Sequence, residues 1–197
     1  MAAAKENSAH RAKLAQNAIF KTTGQKPLGF EKGGLNYVSS GSFIIDDLIG
    51  GNLAPDGKSA ICPGYPRRKI TELYGPESSG KTTAALHAIA EVQKQGGVAM
   101  FLDFEHALHH GYAQKIGVKF NDNLLYYAPD TLEDGFKMMY VGIKAGLDLI
   151  VVDSVAAMVP KEDLEKGIDK NAMIGGQARA FSRNLPKLGI WLSKILE

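Results

Sequence analysis

Apolar positions along this chain keep two different rhythms, and the change comes near residue 68. Before it, residues 7–20 place Leu14, Ala18 and Ile19 on a short helical stripe, and 21–36, rich in Gly, Lys and Thr, read as a linker. Residues 42–51 predict a short helix stopped by the Gly50-Gly51 pair. Residues 52–68, with Pro55, Gly57, Pro63, Gly64 and Pro66, predict an irregular loop. From 68 onward short apolar runs alternate with helical segments. Strands are predicted at 69–74, 97–103, 124–128 and 148–153, and helices at 82–94, 107–116 and 131–145. The last of these opens with Thr131-Leu132-Glu133-Asp134, a capping sequence. The run at 148–153 is apolar on both faces, as a parallel strand is. A final helical stretch at 174–196 carries Pro186, where a break or kink is expected. Strands alternating with helices predict a doubly wound α/β sheet with ligands at the C-terminal strand ends.

Composition narrows this only slightly. A chain of 197 residues fits one domain with a small appended arm, and 45% hydrophobic content supports a sizeable core. A formal net charge of +2 is too small to argue for nucleic acid by itself. The charge is unevenly placed, with Lys5, Arg11, Lys13, Lys21 and Lys26 against Glu6 in residues 1–30, and a second basic cluster at Arg67-Arg68-Lys69. Cys62 is the only cysteine, so no internal disulfide can form. No apolar run suits a signal peptide or reaches the ~18 residues of a membrane span. The expectation is a cytoplasmic protein with no membrane partner.

Residues 75–83 read Gly-Pro-Glu-Ser-Ser-Gly-Lys-Thr-Thr, a complete G-x-x-x-x-G-K-[ST] phosphate-binding loop. Gly75 and Gly80 allow a tight turn whose N–H groups point inward at phosphates, with Pro76, Glu77, Ser78 and Ser79 between them. Lys81 can reach the β- and γ-phosphates, the Thr82 hydroxyl suits a bound Mg²⁺, and Thr83 continues into an alanine-rich helix whose N-terminus faces the anion. Predicted strand before and predicted helix after supply the context that the motif needs.

Other chemistry falls around that loop. Asp153 ends a run of branched apolar residues, where a carboxylate can accept from metal-bound water; loop lysine, loop threonine and strand-end aspartate form the nucleoside-triphosphatase arrangement. Hydrolysis also needs a group that orients or deprotonates water, and Asp103 and Glu105 both lie at the end of the second predicted strand. Spacing alone does not choose between them. His106 and His110 stand at helical i, i+4 spacing that could hold a transition metal, with His109 beside them, although no further Cys or His completes the set; surface histidines are the plainer reading. Residues 160–179 carry Lys161, Lys166, Lys170 and Arg179, with Met173-Ile174 as apolar wedges, and suit a loop that takes a second, phosphate-bearing ligand.

Several strings together resemble the bacterial RecA recombinase family and its phage-encoded relatives: residues 75–83, Asp103-Phe-Glu-His-Ala-Leu108, Tyr112-Ala-Gln-Lys-Ile-Gly-Val118 and Val151-Val-Asp-Ser-Val-Ala-Ala157. Pro160-Lys161, the Met173–Arg179 region and Val38–Asp47 are similar as well, so that the likeness covers roughly residues 36–196. It implies an α/β P-loop NTPase with a RecA-like core and a mostly parallel sheet over 37–197, preceded by an N-terminal helical arm over 1–36 that docks on an adjacent subunit. It implies Glu105 as the glutamate that activates water, with Lys81 on the phosphates. By the same resemblance Asp153 matches the metal-linked aspartate with Ser154 beside it, Tyr112 the tyrosine that packs on adenine, and Glu77 the loop glutamate that senses nucleotide and neighbour. Lys166, Gly167, Lys170, Met173, Ile174, Gly175, Gly176 and Arg179 fall in the first DNA-binding loop and its exit.

The resemblance further implies ATP and Mg²⁺ as cofactors, single- and double-stranded DNA as partners, and a helical homo-oligomeric filament that promotes strand exchange in recombination and repair. The chain departs from the family's Asp-Pro at His109-His110, has a DNA loop that is one residue longer, and has a longer 52–68 connection. Family members place a further strand between the phosphate-loop strand and the strand ending in Asp153; it should begin just after Glu197, so the sheet is expected to lack its C-terminal part. Two other functions stay open: a nucleotide-binding fragment that partners or caps a full-length recombinase without turnover, and a RecA-fold ATPase with a different motor role.

Overall fold

The computed structural model describes residues 13–15, 17, 21–23, 37–50, 63–165 and 175–194. The chain divides into two compact units, Met1–Gly34 and Leu35–Glu197. In the first, residues 13–15, 17 and 21–23 are helical, so helix reaches into the stretch predicted as linker.

The second unit is built on a parallel sheet of three strands, β3 (Ala99–Asp103), β4 (Leu124–Tyr127) and β5 (Leu149–Asp153), in the order β4-β3-β5. Ala99 pairs with both Leu124 and Leu149, and the β3–β5 register runs on to Asp103 opposite Asp153. Both carboxylates therefore arrive at the same end of the sheet. All five residues of β3 are buried, since both of its faces are covered. Ala99 and Phe101 join a core with Leu86, Ile89, Val92, Ala113 and Val118, from α2 (Lys81–Lys94) and α3 (His110–Ile116) with the turn after it. Met100 and Leu102 point the other way, into Leu132, Phe136, Met139, Ile143 and Leu188 from α4 (Leu132–Lys144) and α6 (Gly176–Lys194). This period-two split is what a central strand between two helical layers requires.

Local chemistry sets the element ends. Thr131 caps α4, its Oγ1 accepting from Asp134 N at 3.2 Å. Gly117, at φ 113°, ends α3 in the left-handed region. On the outer layer α4 and α6 meet through Tyr140 and Trp191, centroids 4.2 Å apart, and through Phe136 and Phe181 at 5.4 Å. Gly142 lets α4 lie close to the sheet, because a Cβ there would stand 2.4 Å from Met100 Cε.

Four expectations need correction. Residues 69–74 form no strand: they are exposed, Ile70 and Leu73 included, and the far edge of β5 carries no neighbour among the described residues. An extended segment without a ladder partner leaves its backbone groups to water and has nothing to hold it as a strand. The helix predicted from 107 begins only at His110, because Ala107 and Leu108 are drawn into a turn against Asp103. The predicted irregular loop at 52–68 ends in order: β2 (Tyr65–Pro66) pairs antiparallel with β1 (Tyr37–Val38). Helix α6 runs through Pro186 without interruption. Helix α1 (Phe43–Gly50) and the short α5 (Lys161–Glu165) complete the described elements, with a 3-10 turn at Val155–Ala157.

Candidate functional site: a phosphate loop beside two strand ends

The phosphate loop lies exposed from Gly75 to Gly80 and leads straight into α2. Gly80 is the N-cap, at φ 90° where a side chain would be strained, and no side-chain oxygen caps the helix. The first N–H groups of α2 thus remain available to an anion. Ser78 also sits at positive φ, 58°, in the left-handed region within the loop. Ser79 N donates to Pro76 O at 3.3 Å, closing the turn around Glu77. Lys81 folds its ammonium onto the loop, donating to Gly75 O at 3.0 Å and Pro76 O at 2.8 Å. Those carbonyls hold the charge where phosphate oxygens would compete for it.

Two side chains of α2 reach neighbouring elements. Thr82 Oγ1 donates to Asp153 Oδ2 at 2.6 Å, and Thr83 Oγ1 lies 3.1 Å from the Tyr112 hydroxyl on α3. Tyr112 is half-exposed, with its hydroxyl beside the start of α2. Its amide is bonded in turn to His109 Nδ1 at 3.0 Å, the cap of α3. A hydroxyl and a carboxylate oxygen converging from two elements suit Mg²⁺, which takes one or two protein ligands and draws the rest from water and phosphate. Among the described residues no three His, Cys, Asp or Glu cluster as a metal cage.

The structure separates the two carboxylates that spacing left open. Asp103 is 2% exposed, and its oxygens accept from Ala107 N, Leu108 N and the Tyr126 hydroxyl. Such a saturated group is not placed to take a proton from water. Glu105 is exposed on the turn that follows, and its neighbour Phe104 donates its N–H to Asp153 O at 2.7 Å. Glu105 thus sits on the same strand-end surface as Thr82, Lys81 and Asp153. The histidines are arranged differently from the metal-binding reading. His106 precedes the helix at φ 53°, while His110 packs its ring on Phe120 at 4.8 Å and edge-on to Tyr126 at 5.4 Å. The i, i+4 helical face does not exist.

Ser154 follows Asp153 through a cis peptide and starts the 3-10 turn, its carbonyl accepting from Ala157 N at 3.1 Å. Lys166, Gly167, Lys170, Met173 and Ile174 lie outside the described residues. Gly175, Gly176 and Arg179 are described, at the start of α6, and Arg179 N bonds Gly175 O at 3.0 Å. One residue that sequence reasoning passed over stands here. Gln177 Nε2 donates to Val155 O at 2.9 Å and Met158 O at 3.1 Å, tying the start of α6 to the segment just after Asp153. No motif marks it; a glutamine signals nothing until its carbonyl partners are known.

Comparison with known proteins bears on the family of the chain. A family model described as RecA N-terminal domain matches residues 17–196. "Protein RecA" of Bacillus thuringiensis (strain Al Hakam) is 49% identical over 161 residues, covering 81% of this chain and 43% of that protein. "Protein RecA" of Lactiplantibacillus pentosus is 47% identical over 161 residues, covering 81% of this chain and 39% of its own length. The chain thus spans about two fifths of the length of the curated relatives that it matches.

Proposed function

Since this chain belongs to the RecA family, we propose that it binds ATP with Mg²⁺ at residues 75–83 and hydrolyses it as part of a DNA recombinase. The observation that carries this reading is the joining of Thr82 to Asp153 beside the phosphate loop, with Glu105 on the turn that Asp153 O anchors. Mg²⁺ would neutralise charge developing on the phosphates and would be held by Thr82 and, through water, by Asp153.

In this reading Lys81 leaves the carbonyls of Gly75 and Pro76 for the β- and γ-phosphates, while the open N–H groups of the loop and the first turn of α2 cradle them. Tyr112, half-exposed, packs on the adenine. Glu105 orients a water in line with the γ-phosphorus and accepts its proton as the water oxygen bonds to phosphorus and the bond to the β,γ-bridging oxygen breaks, releasing ADP and phosphate. Glu77, exposed in the loop, senses the nucleotide and a neighbouring subunit. The segment 166–179, with Lys166, Lys170 and Arg179, contacts single- or double-stranded DNA, and the arm over 1–36 docks on the next subunit of a filament. Strand exchange and a cytoplasmic setting belong to the same proposal, and membership of the family supports them. No helix among the described residues is long and apolar enough to cross a membrane.

Steady-state ATP turnover with and without single-stranded DNA, compared with Lys81→Ala, tests this. Turnover that DNA stimulates and that the variant loses is expected. Turnover no greater than that of Lys81→Ala sinks the catalytic reading and leaves a nucleotide-binding fragment that caps or partners a full-length recombinase. ATP-driven activity that no DNA stimulates would favour a different motor role.

A further inference from the structure

The turn that carries Glu105 is pinned at both ends. At its start Phe104 N donates to Asp153 O at 2.7 Å. At its end Ala107 N donates to Asp103 Oδ1 at 3.4 Å and Leu108 N to Asp103 Oδ2 at 3.2 Å. Between the pins, His106 holds a left-handed backbone at φ 53°, uncommon for a residue with a Cβ. The turn's shape is therefore imposed by its anchors, and Asp103 is the larger of the two.

The two backbone bonds, one on each carboxylate oxygen, are long at 3.4 and 3.2 Å and hold Asp103 only loosely. A third, shorter bond tightens that hold. The Tyr126 hydroxyl reaches Asp103 Oδ2 at 2.8 Å from the neighbouring strand β4. Its phenol is itself held. The ring stacks on Phe101 at 6.1 Å and 26°, and receives His110 at 5.4 Å and 89°, with Phe120 behind that imidazole at 4.8 Å. Burial first, then the hydrogen bond and charge of Asp103, push the Tyr126 hydroxyl above its ordinary pKa, so it stays protonated as a donor at neutral pH. With Asp103 2% exposed, no water readily replaces a donor that is removed.

We propose that Tyr126, acting through Asp103, is a positioning residue for Glu105: it fixes the carboxylate that fixes the turn. The proposal rests on the reading of Glu105 as the group that orients water. It differs from a packing role in what it predicts, because the ring is needed for packing and the hydroxyl only for aim. Removing the hydroxyl should leave the ATP loop and its affinity alone and displace Glu105 from the line of attack.

Two readouts test it together, on Tyr126→Phe, Asp103→Asn and Glu105→Gln beside the wild-type chain. In steady-state ATP turnover, Tyr126→Phe should lower kcat about tenfold, as a sub-ångström misplacement of a reacting group does, with KM for ATP within about twofold of wild type. In native-state amide exchange, Ala107 and Leu108 should exchange at least about tenfold faster in Tyr126→Phe, while Phe101 and Leu102 of β3 keep their protection. Asp103→Asn keeps the shape and the ring cluster and should give the same two effects, so a folding defect in one variant does not decide the matter. Wild-type kcat in Tyr126→Phe overturns the proposal, as does a lowered kcat with unchanged exchange at 107–108. Should Glu105→Gln turn over ATP like wild type, or wild type show no turnover, the reading of Glu105 fails instead. The exchange arm then still decides whether Tyr126 holds the turn, and unchanged exchange overturns that too.

Discussion

Thr82 Oγ1 donates to Asp153 Oδ2 across 2.6 Å, joining the first turn of α2 to the tip of β5. The bond sets the phosphate loop against the sheet, and it occupies the two oxygens best placed to serve a dication. Binding Mg²⁺ requires the hydroxyl to turn its proton away from Asp153 and offer a lone pair. Thr82→Val should therefore weaken MgATP binding about tenfold, while binding of ATP in excess chelator changes little. Titrations with and without Mg²⁺ read the difference.

Gly135 on α4 faces Phe104, and a Cβ there would meet Phe104 Cζ at 2.4 Å. A phenyl ring in a packed core gives way less easily than the end of a methionine. Gly135→Ala should cost about 1–3 kcal/mol in stability. Because Phe104 adjoins Glu105, it should also lower ATP turnover more than ATP affinity. Denaturant unfolding and a kcat-against-KM comparison check the two parts.

Arg67 ties the small β1–β2 pair to the sheet. Its Nη1 donates to Asp148 Oδ1 at 2.8 Å and its Nε to Tyr37 O at 3.3 Å, while Asp148 Oδ2 takes Val98 N at 3.0 Å. The pair is about one-third exposed at Asp148, so solvent screens part of its value. Arg67→Ala should cost about 1 kcal/mol, a Tm lower by about 2–4 °C, with nucleotide affinity unchanged.

Two tyrosines make stability depend on pH in the alkaline range. Burial, then the Asp46 charge, raises the Tyr65 hydroxyl, and burial, then Asp103, raises Tyr126. Each folded-state value lies above the unfolded one, so the folded chain holds these protons more tightly. Their contribution is complete below the ordinary tyrosine pKa of about 10 and is lost as pH rises through the folded values. Unfolding midpoints should be flat in this respect up to about pH 10 and fall beyond it. Tyr126→Phe should reduce the slope of that fall.

Much of this was readable from residues alone, for physical reasons that differ by element. The apolar runs of β3 and β5 identify themselves because both faces of each strand pack against the helical layers, fully for β3 and partly for β5. Thr131 announced α4 because capping is a local bond. The phosphate loop is contiguous, so its residues needed no tertiary information to be picked out. What stayed hidden depends on partners distant in sequence. Residues 69–74 have strand composition and no strand, since a strand is made by its neighbour. Asp103 and Glu105 were inseparable by spacing until burial saturated one and exposed the other. His110, for which a surface histidine was the plainer reading, packs its ring in an aromatic cluster with Phe120 and Tyr126.

Gln177 links the two halves of the proposed cycle, since its amide holds the carbonyls of Val155 and Met158 from the start of α6. A DNA contact at 166–179 would move α6 and, through Gln177, the segment after Asp153. Gln177→Ala should lower the ratio of DNA-stimulated to basal ATP turnover about fivefold or more, with basal turnover close to wild type. An unchanged ratio would mean that coupling runs elsewhere.

The central claim is that residues 75–83 hold the phosphates of ATP, and equilibrium binding of MgATP to wild type and Lys81→Ala tests it most directly. A Kd at least about tenfold weaker in the variant is predicted, because a charged contact to phosphate is lost while the fold keeps its other bonds. Equal affinity in the two proteins would contradict the account.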